Sequence, residues 1–348
     1  MIRLCCAFGG ASDEYEVSLE SVYGVLCNVD KTKYEIICLG ITKDGRWFLY
    51  EGPYDKIRDG SWAEDKENLT PAHLSLCRGD RAIYAGEKRL PIDVLFPVMH
   101  GTGCEDGTLQ GALTLCDIPF VGSGCTASAV GMDKSITKAM VRGTGIPQAD
   151  ALVVYRYEID KDIDKICEAV EAKFEYPVFV KPACTGSSVG VGKAKSSSGL
   201  RAALRDASRF DRKILVEEYI PGGEFECAVL GNENPQASCV GEIVPGSEFY
   251  DYNNKYSDDT AQYYIPARLP ENISERIREY AVTIYRTLGC EGLARVDFFR
   301  HGDHVVFNEI NTLPGFTPIS MYPKLWIQSG VSYTELIDKL ITLALEKI

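Results

Sequence analysis

The sequence predicts an α/β protein: a doubly wound N-terminal domain followed by two further α+β units. Strand and helix signals alternate through the first third of the 348 residues, the texture turns to small residues near position 122, and short strands with Gly/Ser turns, helices and a late hairpin follow. A chain of this length has room for two or three domains.

In order, "IRLCCAF" is a short apolar strand that stops at Gly9 and Gly10, and "SDEYEVSLESVYGVLCNV" carries apolar residues at helical spacing. "KYEIICLGI" and "DVLFPVMHG" are further strands, so the ligand-binding loops of this region are "GGASDEYEVS" and "HGTGCEDGTLQG". "GSGCTASAVGMDKSITKAMVRGTGIP" is a join followed by a helix starting around Asp133. "YPVFVKPACTGSSVGVGKA" gives two short strands around a turn, then a helix from Ser197 and the strand "KILVEEYI". "ECAVLGN", "ASCVGEIVP", a tyrosine-rich loop and a helix over about 273–288 lead to the hairpin. "SYTELIDKLITLALEKI" closes the chain as an amphipathic helix.

Acidic residues number 50 and basic ones 37, a net charge of −13 that argues against a nucleic-acid partner, which would need a basic stripe. A small anionic ligand needs only local positive charge. The 13 cysteines are odd in number, form no CxxC pair and have few histidines to join them, so they are expected to be reduced core thiols. Neither a signal peptide nor a membrane-spanning stretch is visible, and the expected location is cytoplasmic.

Four stretches carry chemistry. In "VVFNEINTLPGF" period-two alternation puts Glu309 and Asn311 on one strand face and Asn308 with Ile310 on the other. Arg295 and Asp297 of "GLARVDFFR" share a face across the short "HGD" turn. Asp297, Glu309 and Asn311 therefore offer three converging oxygens to a hard cation such as Mg2+. The competing reading is a charged rim in which Arg295 pairs with an acid. "KPACTGSSVGVGKA" sets Lys181 at a strand end before Gly186, Ser187, Ser188 and Gly190, a backbone able to approach phosphate or simply a chain reversal. Lys134, one helix earlier, is a second phosphate ligand or a solvated helix-start lysine. "ILVEEYIPGGEFE" ends an apolar strand in Glu217, Glu218 and Tyr219, which suits an adenine or is a plain strand-to-turn edge. The chain has neither GxxxxGK[ST] nor a GxGxxG after its first strand, which counts against a nicotinamide dehydrogenase.

The order of these parts, with "EVSLES", "HGTGCEDGTLQGAL", "PFVGSG", "MDKSITK", "EFYDYNNKY", "LARVDFF" and "NEINTLPGFTPISMYP", resembles the D-alanine–D-alanine ligases of the ATP-grasp superfamily over nearly the whole length. The resemblance implies a substrate-binding α/β domain over 1–125 and a two-domain ATP-grasp fold, central over 126–215 and catalytic over 216–348, with a lid loop at 248–262. It implies ATP with two Mg2+ ions, Mn2+ substituting, held by Asp297, Glu309 and Asn311 with Glu309 bridging. Lys134 and Lys181 would serve the phosphates, Ser188 and Asn308 would bind the nucleotide, and Glu217, Glu218, Tyr219, Ile220 and Glu224 would surround the adenine and ribose. Glu16, in a network with Ser187 and Tyr256, would bind the first substrate's ammonium. Arg295 and the Gly315 N–H would stabilise an oxyanion, Ser320, Met321 and His100 would lie by the second substrate, and Lys255 would reach the phosphate from the lid. A homodimer is the assembly such enzymes commonly form.

The lid "NNKY" and the late "SMYP" favour D-alanine as second substrate, for a peptidoglycan precursor. Tyr15 in "EYEVS", a pattern also found in D-serine-specific relatives of the vancomycin-resistance type, supports D-alanine–D-serine ligation as the alternative. Cys104 stands where a glycine is more usual in the "HGxxGEDG" loop. A regulatory or carrier module on the same fold would lack a metal ligand or a phosphate lysine, and none is missing.

Overall fold

The computed structural model describes residues 1–186, 189–244 and 261–347. Ser187, Ser188, Lys255 and Tyr256, and most of the expected lid, lie outside the described residues.

Among the described residues the strands form three sheets. The first combines β1 (Ile2–Gly9), β2 (Tyr34–Ile41), β3 (Trp47–Tyr50), β4 (Leu69–Leu74), β5 (Ala82–Ala85), β6 (Lys88–Pro91) and β7 (Val94–Val98) in the order β6-β5-β4-β3-β2-β1-β7. Only β1 with β2 and β1 with β7 run parallel. Helices on both faces make this part doubly wound: Tyr15–Asn28 packs on one side, and Thr108–Leu115 belongs to a separate core on the other. The strands β3 to β6 extend the sheet as an antiparallel meander that the expected doubly wound pattern did not include. Their short runs, four to six residues each, carry little periodicity to read.

The second sheet holds β8 (Ala151–Tyr155), β9 (Val178–Pro182), β10 (Gly192–Ala194) and β11 (Lys213–Glu218), all antiparallel, in the order β10-β9-β11-β8. Val178, Val180, Ile214 and Val216 point into a core with Leu200, Leu204 and Ala207 of helix Ser197–Phe210. Alternation then gives Phe179, Lys181, Leu215 and Glu217 to the opposite face. The third sheet, β14-β13-β12-β15-β16, is built from β12 (Gly223–Leu230), β13 (Gln236–Val244), β14 (Gln262–Tyr264), β15 (Leu293–His301) and β16 (His304–Asn311). One face packs on helix Glu271–Thr287 through Ile273, Ile277, Ala281 and Ile284, residues spaced to form one apolar stripe. That helix stops at Leu288, and Gly289, at φ +67°, takes the left-handed position that ends it cheaply.

Two expectations are corrected, and one helix falls where none was expected. The join near residue 122 contains the helix Cys125–Met132, whose small residues show no apolar stripe. Helix Met321–Gln328 begins within "SMYP", Pro323 being tolerated in a first turn where no intrahelical N–H is needed. Of the cysteines, Cys27, Cys77 and Cys125 are exposed, so the thiols are not all in the core; none forms a disulfide among the described residues. Among those residues no helix is long and apolar enough to cross a membrane.

Candidate active site

Helix Lys134–Arg142 starts where it does because the Asp133 carboxylate accepts from the backbone N–H groups of Ser135 and Ile136, a capping interaction usually contributing about 1 kcal/mol. Lys213 pairs with the same carboxylate. Lys134 thus stands at the first helical position, with its backbone N–H donating to Ala183 O at 3.0 Å. Its Nζ donates to Thr185 O at 2.9 Å and lies 3.3 Å from Glu309 Oε2, so it is not a solvated lysine. Lys181 projects from the polar face of β9 to Glu217 Oε2 at 2.7 Å and Asn308 Oδ1 at 3.4 Å. Lys181 thus faces the third sheet from the second, and Lys134 reaches that sheet from the helix.

Asp297 and Glu309 are register partners, as are Arg295 and Asn311. The strict alternation read from the sequence fails at one point. The pairing shifts between Asp297 and Phe298, so β16 carries a bulge at Asn308. Phe307 and Ile310 enter the core, while Asn308 turns to Lys181 rather than sharing the Ile310 face. Asn308 and Glu309 therefore serve the same cleft in succession.

The Arg295–acid pair exists, but it is buried instead of forming a rim: Arg295 is 8% exposed and Asp297 1%. Arg295 Nε also lies 3.0 Å from Glu226 Oε2. Asn311 Nδ2 donates to Asp297 Oδ2 at 3.0 Å, so its Oδ1 is the atom that a cation would use. Two carboxylates and one amide oxygen are the hard donors Mg2+ prefers, with phosphate and water completing the shell. Among the described residues no group of three or more His, Cys, Asp or Glu forms a metal cage. The donor chemistry fits the ion.

Glu16, near the start of helix Tyr15–Asn28, is exposed and pairs with Lys43, whose Nζ sits 5.0 Å from the Tyr15 ring centroid. A cleft of about 640 Å³ is lined by Ser12, Glu14, Glu16, Lys43, Gly101 and Gly186, among others. His100 is buried, with Nδ1 3.0 Å from Leu313 O and Nε2 3.3 Å from Ser21 Oγ. Since a carbonyl only accepts, Nδ1 carries the proton. Burial pushes the imidazole down to about 4, so it is neutral near pH 7. Ser21 Oγ accepts from Phe316 N at 3.2 Å and Ser320 Oγ from Thr317 N at 3.0 Å, tying down the loop that carries Gly315. A Cβ on Gly315 would come within 2.7 Å of Ser320 Oγ, so this close approach calls for glycine. Met321 is buried against Gly241.

On the base side, Tyr219 is exposed, its ring 6.0 Å from Phe179 and 4.3 Å from Lys193 Nζ. Glu218 Oε1 accepts from Asp150 N at 2.7 Å. Ile220 is half-buried, as is Glu224, which pairs with Ile243 and Phe299 in the ladder.

Sequence reasoning missed four residues here. Glu105 accepts from Gly101 N at 2.8 Å and Leu313 N at 3.3 Å, and burial with the nearby Glu14 charge pushes its carboxyl up to about 8. Lys138 pairs with Glu217, and Glu226 with Arg295. Ser21 lay inside a quoted motif without a role. Spacing could have found Glu226, two residues after Glu224 on the same strand face; the others depend on contacts far apart in the chain.

Two antiparallel sheets that meet through Lys181 and Asn308, with Lys134 reaching Glu309 from the adjoining helix, define an ATP-grasp protein. A family model described as "D-ala D-ala ligase N-terminus" matches residues 3–123, and one described as "D-ala D-ala ligase C-terminus" matches residues 140–342. The chain is 51% identical to the D-alanine–D-alanine ligase of Acetivibrio thermocellus and 50% to that of Ruminiclostridium cellulolyticum, covering 99% of this chain and 96% of each relative. The solved VanG D-Ala:D-Ser ligase of Enterococcus faecalis superimposes with TM-score 0.91 at 40% identity, covering 99% of both chains. The D-alanine–D-alanine ligase of Coxiella burnetii gives 0.89 at 33%, covering 99% of this chain and 94% of that one. The chain belongs to the D-alanine–D-alanine ligase family.

Proposed function

We propose that the chain joins two D-alanines into D-alanyl-D-alanine at the expense of ATP, for peptidoglycan precursor synthesis. The carrying observation is the facing of Lys134 and Lys181 toward Glu309 and Asn308 across the cleft, at 3.3 and 3.4 Å.

In this reading the first D-alanine's carboxylate oxygen attacks the γ-phosphorus, releasing ADP and leaving an acyl phosphate. The amine of the second attacks the acyl carbon, loses a proton, and inorganic phosphate departs with the C–O bonding pair. Glu16 holds the first ammonium, in a network with Ser187 and Tyr256. The Nη1 edge of Arg295 and the Gly315 N–H receive the tetrahedral oxyanion, a role typically contributing about 3–4 kcal/mol per donor. Neutral His100, with Ser320 and Met321, lines the acceptor subsite. Lys134 and Lys181, with Lys255 from the lid, neutralise the phosphates, and Ser188 hydrogen-bonds to the nucleotide. Glu217, Glu218, Tyr219, Ile220 and Glu224 surround adenine and ribose. Asp297, Glu309 and Asn311 would hold two Mg2+ ions, or Mn2+, which lower the repulsion between the anionic reactants. A homodimer in the cytoplasm completes the proposal.

Ligation of D-alanine to D-serine is the second reading, favoured by the likeness to the VanG enzyme and by Tyr15, which is buried and accepts a hydrogen bond from Trp62 Nε1 at 3.0 Å. Mass identification of products from ATP, Mg2+ and a mixture of D-alanine, D-serine and D-lactate separates the two. D-alanyl-D-alanine as main product, with phosphate release that ignores L-alanine, is the expected result; release equal with both enantiomers sinks the proposal.

A further inference from the structure

Glu217 lies between two ammoniums. Lys181 Nζ is 2.7 Å from its Oε2 and Lys138 Nζ 3.1 Å from its Oε1, and the side chains of Lys181, Lys138 and Glu217 are 14%, 6% and 6% exposed. Lys138 follows Lys134 by one helical turn, so the two leave the same side of their helix. Its ammonium also donates to Ala149 O at 3.2 Å. The helix is held there, since Gln148 Nε2 donates to Lys138 O at 2.9 Å.

The charge count matters. A single buried Lys181–Glu217 pair would satisfy itself, and drawing the lysine toward a phosphate would strand a carboxylate away from water, a strongly unfavourable event. With Lys138 on the other oxygen, Glu217 keeps a counter-ion whichever way Lys181 turns. Lys138 Nζ is held by the Glu217 carboxylate and the carbonyl of buried Ala149, so it stays, while Lys181 also meets Asn308 at the cleft.

We propose that Lys138 is a positioning residue of the nucleotide site, the resident counter-ion that keeps Glu217 paired and so leaves Lys181 able to turn to an incoming phosphate. This rests on the reading of the cleft as an ATP site. Burial would push the Glu217 carboxyl up, yet Lys181 and Lys138 together hold it below the usual range, consistent with a permanently ionised bridge.

The test is a cycle on ADP affinity, measured by titration calorimetry with the full chain: wild type, Lys138→Met, Glu217→Gln and the double variant, with KM for D-alanine alongside. Lys138→Met is expected to weaken ADP about tenfold, and by less than about twofold in the Glu217→Gln background, where no carboxylate needs a counter-ion. KM for D-alanine should stay within about twofold, and Lys138→Arg should recover most of the affinity. Unchanged ADP affinity in Lys138→Met, an equal loss in both backgrounds, or a matching rise in KM for D-alanine overturns the proposal. Should the Met variant not fold, Lys138→Gln carries the same cycle. Wild-type protein that fails to bind ADP would instead defeat the underlying reading of the cleft.

Discussion

Arg295 grips Asp297 at two points, Nε to Oδ1 at 2.8 Å and Nη2 to Oδ2 at 2.7 Å, with both side chains buried. Glu226 closes on the same guanidinium. Arg295→Met leaves two buried carboxylates beside each other and should cost about 3–5 kcal/mol of stability. Urea unfolding checks this, and a loss below about 1 kcal/mol would show that the guanidinium is not what compensates them.

Glu309, the register partner of Asp297, is the bridging metal ligand that the resemblance implies and the proposed function adopts. Glu309→Gln keeps the shape and removes the charge. D-alanine-dependent phosphate release should fall by at least about a thousandfold, while circular dichroism and Tm stay near wild type. Near-normal release in a folded variant would refute the assignment.

His100 gives a pH prediction with a definite sign. Its folded-state value, about 4, lies below the ordinary imidazole value, so the folded chain binds fewer protons than the unfolded one in between. The contribution to stability is complete above about 6.5 and is lost as pH falls toward 4, by at most about 3 kcal/mol. Comparing wild type with His100→Asn over this window isolates the effect; parallel curves would contradict it.

Glu105 works in the other direction. With its carboxyl pushed up to about 8, the folded chain binds the extra proton, and stability is lost as pH rises from the usual carboxylate range toward 8. Glu105→Gln, which keeps the neutral shape, should flatten the fall in Tm between pH 5.5 and 8. An unaltered slope would mean that Glu105 is ionised in the native protein.

Much of this was legible in the chain. The hairpin, Lys134 and Lys181 announce themselves because each polar group follows or opens a regular element, where period and spacing place it. The helices Cys125–Met132 and Met321–Gln328 escaped because small residues in one and an early proline in the other blur the apolar stripe. Lys138, Glu105 and Glu226 escaped for a different reason. A buried lysine in a helix reads like any surface lysine until its partner, 79 residues away in Glu217, is folded beneath it. The expected roles of Lys255 and Tyr256 come from the resemblance, those of Ser187 and Ser188 from their Gly/Ser turn as well.

A regular strand shows each of its sides one substituent every two residues, roughly 7 Å apart. The irregularity at Asn308 lifts that limit locally, crowding two oxygen-bearing groups where an even pleat would have admitted one. Excising this single amino acid would therefore restore a tidy ladder yet thin the oxygen lining, leaving Lys181 one acceptor short.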